Sequence, residues 1–138
     1  MKQNPVSVSV TRTGARSYVG RTSTGAELRI GSGEGEFEPT ELLLLALAGC
    51  AAKSAETQLD LKLGDGTPLT VTVSGLVEED NAFHRLDELM EIDLAAIDPD
   101  RRDRTLEVLG RVIHRLCTVE RSLDAPIEVQ RTFSQLGA

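Results

Sequence analysis

Hydrophobic positions along the chain follow two periods. Val6, Val8 and Val10 alternate with Ser7 and Ser9, the two-residue repeat of a strand. Gly14 marks a turn, and residues 16–22 and 26–30 flank a second turn at Ser23, Thr24 and Gly25, so hairpin strands are predicted. Glycines at 31, 33 and 35 read as a flexible connector. Glu34 and Glu36 would repel a phosphate there, and no Gly-Lys-Ser or Gly-Lys-Thr follows to make a phosphate loop.

From Pro39 the pattern turns helical. Pro39 sits just inside a helix start, with Glu38 and Glu41 near the first turn and Gly64 as a stop, which predicts a helix of about 25 residues and about 37 Å. Residues 42–52 are apolar on every face, whereas Lys53, Glu56, Gln58, Asp60 and Lys62 mix polarity into the second half. The first half should therefore be surrounded by protein, a partner subunit included, and Gly49 should permit close approach of another backbone. This apolar run falls well short of the roughly 18 residues of a membrane span.

Beyond Gly64 and Gly66, residues 69–77 carry β-branched residues on alternate positions and predict a strand. Leu86, Met90, Ile92 and Leu94 also alternate, interrupted by Glu88; the segment could equally be a short helix and is assigned to another strand. Asp98 and Pro99 then cap a helix whose apolar stripe is Leu106, Leu109, Ile113 and Leu116, with Cys117 pointing inward four residues after Ile113. Residues 118–123 close that helix or add a short turn, and 127–133 form a final strand. Strands, long helix, strands, helix, strand make an α+β fold, one domain over residues 1–138.

Composition narrows the function. The chain has 22 acidic and 15 basic residues with mixed signs, a formal charge of −7 that disfavours a nucleic-acid surface. The N-terminus leads into alternating Val and Ser without the apolar segment of a signal peptide, which points to the cytoplasm. Thiols there stay reduced, so the two cysteines, Cys50 and Cys117, suit a transient catalytic bridge better than a permanent one. His114 and Cys117, three apart, supply only two of the four ligands of a structural zinc, and no zinc site is expected. Buried, inert packing is the plainer reading of both cysteines.

The run Pro39-Thr-Glu41-Leu-Leu-Leu-Leu-Ala-Leu-Ala-Gly-Cys50, followed by Cys117-Thr-Val119 and Leu123, resembles the OsmC/Ohr family of osmotically induced and organic hydroperoxide resistance proteins. The segment from Thr11 to Arg16, with Gly25 beyond it, is similar to the one that carries the family's active-site arginine. Thr118 departs from the pattern, standing where many members have proline, and aromatic residues are scarce. The spacing of Glu41 and Cys50 is closer to the OsmC-like branch than to the dedicated hydroperoxide reductases.

The resemblance implies an intertwined homodimer with antiparallel sheets around a long central helix. It further implies a thiol peroxidase working without metal or cofactor, with Cys50 as the peroxidatic cysteine and Cys117 as the resolving one. Arg16 would stabilise the thiolate, Glu41 would hold the arginine, and a dithiol, dihydrolipoyl groups by analogy, would reset the enzyme. Attack on an O–O bond needs a cation near the sulfur, because an unperturbed thiol titrates at about 8.5 and burial alone raises that value. Arg12 and Arg21 compete with Arg16 for this role. Nine residues also place Glu41 half a turn around and about 13 Å along the axis from Cys50, so the two cannot touch on one straight helix. Apolar residues 42–47 favour peroxides with an organic tail. Two other readings stand beside the peroxidase: a non-catalytic dimer binding a small apolar ligand, and a thiol redox sensor.

Overall fold

The computed structural model describes residues 5–137. The elements run β1 (Val8–Gly14), β2 (Ser17–Thr22), β3 (Glu27–Gly31), α1 (Pro39–Leu63), β4 (Leu69–Val77), β5 (Phe83–Ile92), α2 (Pro99–Leu116) and α3 (Thr118–Leu123). This is the α+β order expected, with two antiparallel sheets. Contacts divide the chain into two compact units, one ending at Leu45 and the other beginning at Ala46.

In the first unit β1, β2 and β3 form a meander. Gly14 pairs with Ser17, so Ala15 and Arg16 alone make the first turn, and Arg16 takes a left-handed φ of 58° to close it. The glycine segment predicted as a flexible connector is instead a hydrogen-bonded turn. Glu36 Oε1 accepts from the Gly33 N–H at 2.9 Å, and the Gly31 N–H donates to the Phe37 carbonyl at 3.0 Å. A side chain at position 31 would meet the Arg16 carbonyl oxygen at 2.7 Å, which is why glycine is needed there.

Helix α1 has the length its sequence predicts, 25 residues. Gly64 ends it at φ 101°, its N–H donating to the Asp60 carbonyl at 2.9 Å. In the second unit, Leu47, Ala51, Ala55 and Leu59 recur every four residues along α1 and form one buried stripe. They cluster with Leu109, Ile113 and Cys117 of the α2 end. Ala51 and Ala55 are completely buried, and their small side chains leave room for that cluster to close. Strands β4 and β5 pair antiparallel with Leu69 opposite Ile92, and Leu69, Val73, Leu86, Met90 and Ile92 pack on the same cluster.

Several expectations are corrected. Residues 127–133 form no strand; Ile127, Val129 and Phe133 are 64%, 80% and 89% exposed, since no strand among the described residues offers them a ladder. Within the single chain the first half of α1 is not enclosed, Leu43 and Leu45 being 38% and 51% exposed, and the cover expected there is left to a partner subunit. Among the described residues of the single chain, no atom would come within 4 Å of a side chain at Gly49, which leaves that face of α1 open. Leu106 and Leu116 are exposed rather than part of the buried stripe, which keeps only Leu109 and Ile113. Asp98 occupies the α2 N-cap without a side-chain bond; its carbonyl accepts from the Arg101 N–H at 2.9 Å instead.

Candidate active site: a coupled thiol pair

The two cysteines are brought together at the junction of α2 and α3. Cys117 ends α2 and serves as the N-cap of α3 with extended backbone, φ −73° and ψ 102°. Its N–H donates to the Ile113 carbonyl at 2.8 Å, holding it on the last turn of α2. Its sulfur accepts from the Glu120 N–H at 3.5 Å, in the way a serine hydroxyl does at an N-cap. Cys117 is completely buried, whereas Cys50 on α1 is half-buried, and both are free thiols.

The pair is chemically unequal. Burial pushes the Cys50 thiol up, but hydrogen bonds from the Val119 N–H, the Cys117 thiol and the Thr118 N–H outweigh it and hold its pKa below the ordinary thiol value. These main-chain donors come from the first turn of α3, where amide groups lack helical partners. Ser54 adds least, because its hydroxyl proton goes to the Cys50 carbonyl at 2.7 Å. Cys117 is shifted the other way. Burial raises it, the Glu120 N–H lowers it, and the bond to Cys50 with the charges of Cys50 and Glu120 keeps it above the ordinary value. The arrangement therefore favours the thiolate more at Cys50, the reachable sulfur, than at the sheltered Cys117.

Around the pair lie polar groups that the sequence reading did not assign. His114 Nδ1 and Glu120 Oε2 are 2.7 Å apart. That is shorter than the about 3.4 Å between two ligands on one tetrahedral zinc, so the imidazole and carboxylate are bonded to each other rather than spaced for a metal. Glu88 stands on the same face of β5 as Leu86 and Met90 by strand alternation. Partial burial and then the charge of Glu120 raise its pKa. A carboxylate interrupting an apolar alternation was the signal available for Glu88. The amides of Thr118 and Val119 carry no side-chain signature at all.

The remaining predicted site residues lie in the first unit. Arg16 is in the β1–β2 turn. Of its competitors, the Arg12 Nε donates to the Gly14 carbonyl at 3.2 Å, and Arg21 pairs with Glu27 across the β2–β3 ladder at 2.7 Å. Among the described residues no ion pair engages Arg16. Glu41 accepts from the Glu38 N–H at 2.9 Å, the reach-back half of a capping box at the start of α1. The structure thus unites Cys50 with Cys117, and it does not join Arg16 to Glu41 by an ion pair.

The sequence profile of the family described as OsmC-like protein matches residues 31–131. An "uncharacterized protein" of Mycobacterium tuberculosis is 38% identical over 132 residues, covering 94% of this chain and 96% of its own length. An OsmC-like protein from Mycoplasma pneumoniae superposes with a TM-score of 0.73 at 14% identity, covering 89% of each chain. The organic hydroperoxide resistance protein OhrB of Bacillus subtilis does so with a TM-score of 0.58 at 16% identity, over 86% of this chain and 90% of its own. No helix of the described residues is long and apolar enough to cross a membrane.

Proposed function

The chain belongs to the family of OsmC-like proteins, and on that footing we propose that it is a cysteine-based thiol peroxidase acting on organic hydroperoxides. The observation that carries the reading is the packing of half-buried Cys50 against the buried Cys117, with the Cys50 thiol held below its ordinary pKa. The Cys50 thiolate attacks the terminal peroxide oxygen, the O–O bond breaks, and the alcohol leaves with a proton. Cys50 is then a sulfenic acid. Cys117 attacks that sulfur, the S–O bond breaks, water departs and the Cys50–Cys117 disulfide closes before over-oxidation. A dithiol reductant, such as a dihydrolipoyl group, reopens it by exchange.

Arg16 is proposed as the cation that faces the developing charge in the assembled enzyme, and Glu41 as its carboxylate. The guanidinium's freedom from ion pairs among the described residues and its placement in a strained turn support this role. The working form is proposed to be a cytoplasmic homodimer. Exposed Leu43 and Leu45 on α1 and the unpaired 127–133 segment are surfaces that a second subunit would cover.

The deciding experiment is intact mass under non-reducing conditions after one equivalent of cumene hydroperoxide, beside hydrogen peroxide and Cys50→Ser. Rapid loss of two hydrogens, faster with the organic peroxide and absent in the variant, is the expected result. Thiols left unmodified after long exposure overturn the reading in favour of a ligand-binding dimer. Oxidation without recycling by a dithiol leaves a redox sensor.

A further inference from the structure

On the peroxidase reading, the thiol pair alternates between two free sulfurs and one disulfide. Closure takes two electrons and two protons from Cys50 and Cys117, the peroxide O–O bond accepting them as alcohol and water, and a dithiol returns them. An S–S bond of about 2.05 Å lies well inside any non-bonded sulfur contact, so one of the two cysteines has to move as it forms.

The two sides are not equally free to move. Cys50 lies midway along the 25-residue α1, beside the completely buried Ala51, and its carbonyl accepts from the Ser54 hydroxyl at 2.7 Å. Cys117 has extended backbone between two helices. The helix that follows it, α3, is six residues long with no buried side chain, too short to hold its form alone. The displacement therefore falls on Cys117.

Sulfur also fixes the first turn of α3. Cys117 Sγ accepts the Glu120 N–H at 3.5 Å, already a long bond, and the Thr118 and Val119 N–H groups bond to the Cys50 sulfur. A disulfide carries no charge and turns Sγ toward its partner, so the three amides lose their acceptors together. We propose that α3 is a redox-released element, docked while the Cys117 sulfur caps it and loosened at its first turn when Cys117 is drawn into the disulfide. Its other holds involve no sulfur: Glu120 Oε2 is 2.7 Å from His114 Nδ1 of α2, and the Asp124 N–H donates to the Glu120 carbonyl at 3.0 Å. In the reduced chain the capped turn shelters Cys117, which is 0% exposed, and leaves half-buried Cys50 as the sulfur a peroxide meets. Loosening opens the Cys117 side to a dithiol only after the bridge has formed.

Amide hydrogen exchange, followed by NMR in the reduced protein and in protein bridged by diamide, tests this, with intact mass confirming the loss of two hydrogens. Diamide takes up the two electrons and two protons on its N=N bond, so no peroxide chemistry is needed. The Val119 and Glu120 amides should exchange about 2- to 30-fold faster in the bridged form, the range expected for loss of a helix cap, while those of Ala51 and Ala55 in α1 stay unchanged. Cys117→Ala, which removes the cap without a bridge, should show the faster exchange in the absence of diamide. Cys117→Ser, whose hydroxyl caps in place of the sulfur, should keep the reduced-state protection. Bridged protein whose Glu120 amide is as protected as in the reduced form overturns the proposal and leaves the peroxidase reading in place. Release of α3 by diamide in protein whose thiols ignore peroxide overturns the peroxidase reading and supports the proposal. Thiols that diamide cannot bridge overturn both.

Discussion

Cys50 packs against the buried Cys117, and the contact between the two thiols lowers the pKa of Cys50 and raises that of Cys117. The sign of the effect on Cys50 follows from which form is bonded. A donor aimed at sulfur favours the thiolate, so the anionic fraction at neutral pH is larger than for a free thiol. Cys117→Ala should therefore move the midpoint of Cys50 alkylation upward in pH and slow its modification at pH 7 by several-fold, on the order of 3- to 10-fold. Iodoacetamide kinetics across pH read this directly. An unchanged or lowered midpoint would show that the bond does not govern Cys50.

Thr118→Pro should act on the same sulfur through the main chain. Position 118 is the first residue of α3, where proline is compatible with the helix and removes only the N–H. Cys50 should again titrate higher and its oxidation by peroxide should slow, while the melting temperature changes by about 1 kcal/mol or less of equivalent stability. Loss of the fold, or oxidation at the parent rate, would contradict the assigned donor.

Glu88→Gln should stabilise the protein in a pH-dependent way. A carboxyl whose folded pKa is raised contributes most below its unfolded value of about 4.3 and loses that contribution as pH rises through the folded value. Removing the charge should thus raise the melting temperature at pH 7 and leave it unchanged near pH 4. Because Glu88 is exposed to solvent, screening limits the gain to about 0.5 kcal/mol. Calorimetry at both pH values checks the sign.

Val129→Glu with Phe133→Glu should dissociate the proposed dimer without unfolding the subunit. Both side chains are more than three-quarters exposed in the single chain, so charge there harms no internal packing. Light scattering should find twice the 14.9 kDa chain mass for the parent protein and a concentration-dependent shift toward the monomer for the variant. A parent monomer at all concentrations would remove the subunit interface from the proposal.

Residues that act through local rules were legible beforehand. Pro39 and Gly64 bounded α1 because a missing N–H and a left-handed φ are properties of those residues alone. Strand alternation assigned β5 despite the charge at Glu88, since the period survives one polar residue on a partly solvated face. The 127–133 segment has the same alternation and yet forms no strand, because a ladder needs a neighbour that sequence periodicity does not supply.

The sequence by itself determined the order of elements as far as α2, the length of α1 and the two thiols whose motif marks the family. Only the tertiary structure decided that Cys117 caps α3 and that the amides of Thr118 and Val119 come beside Cys50. It also decided that Glu41 caps its own helix and that Glu120 bonds His114 beside the buried sulfur. The physical reason is range. Capping, turn and alternation preferences act over a few residues, whereas thiol pKa values depend on groups that only chain packing brings within hydrogen-bond distance.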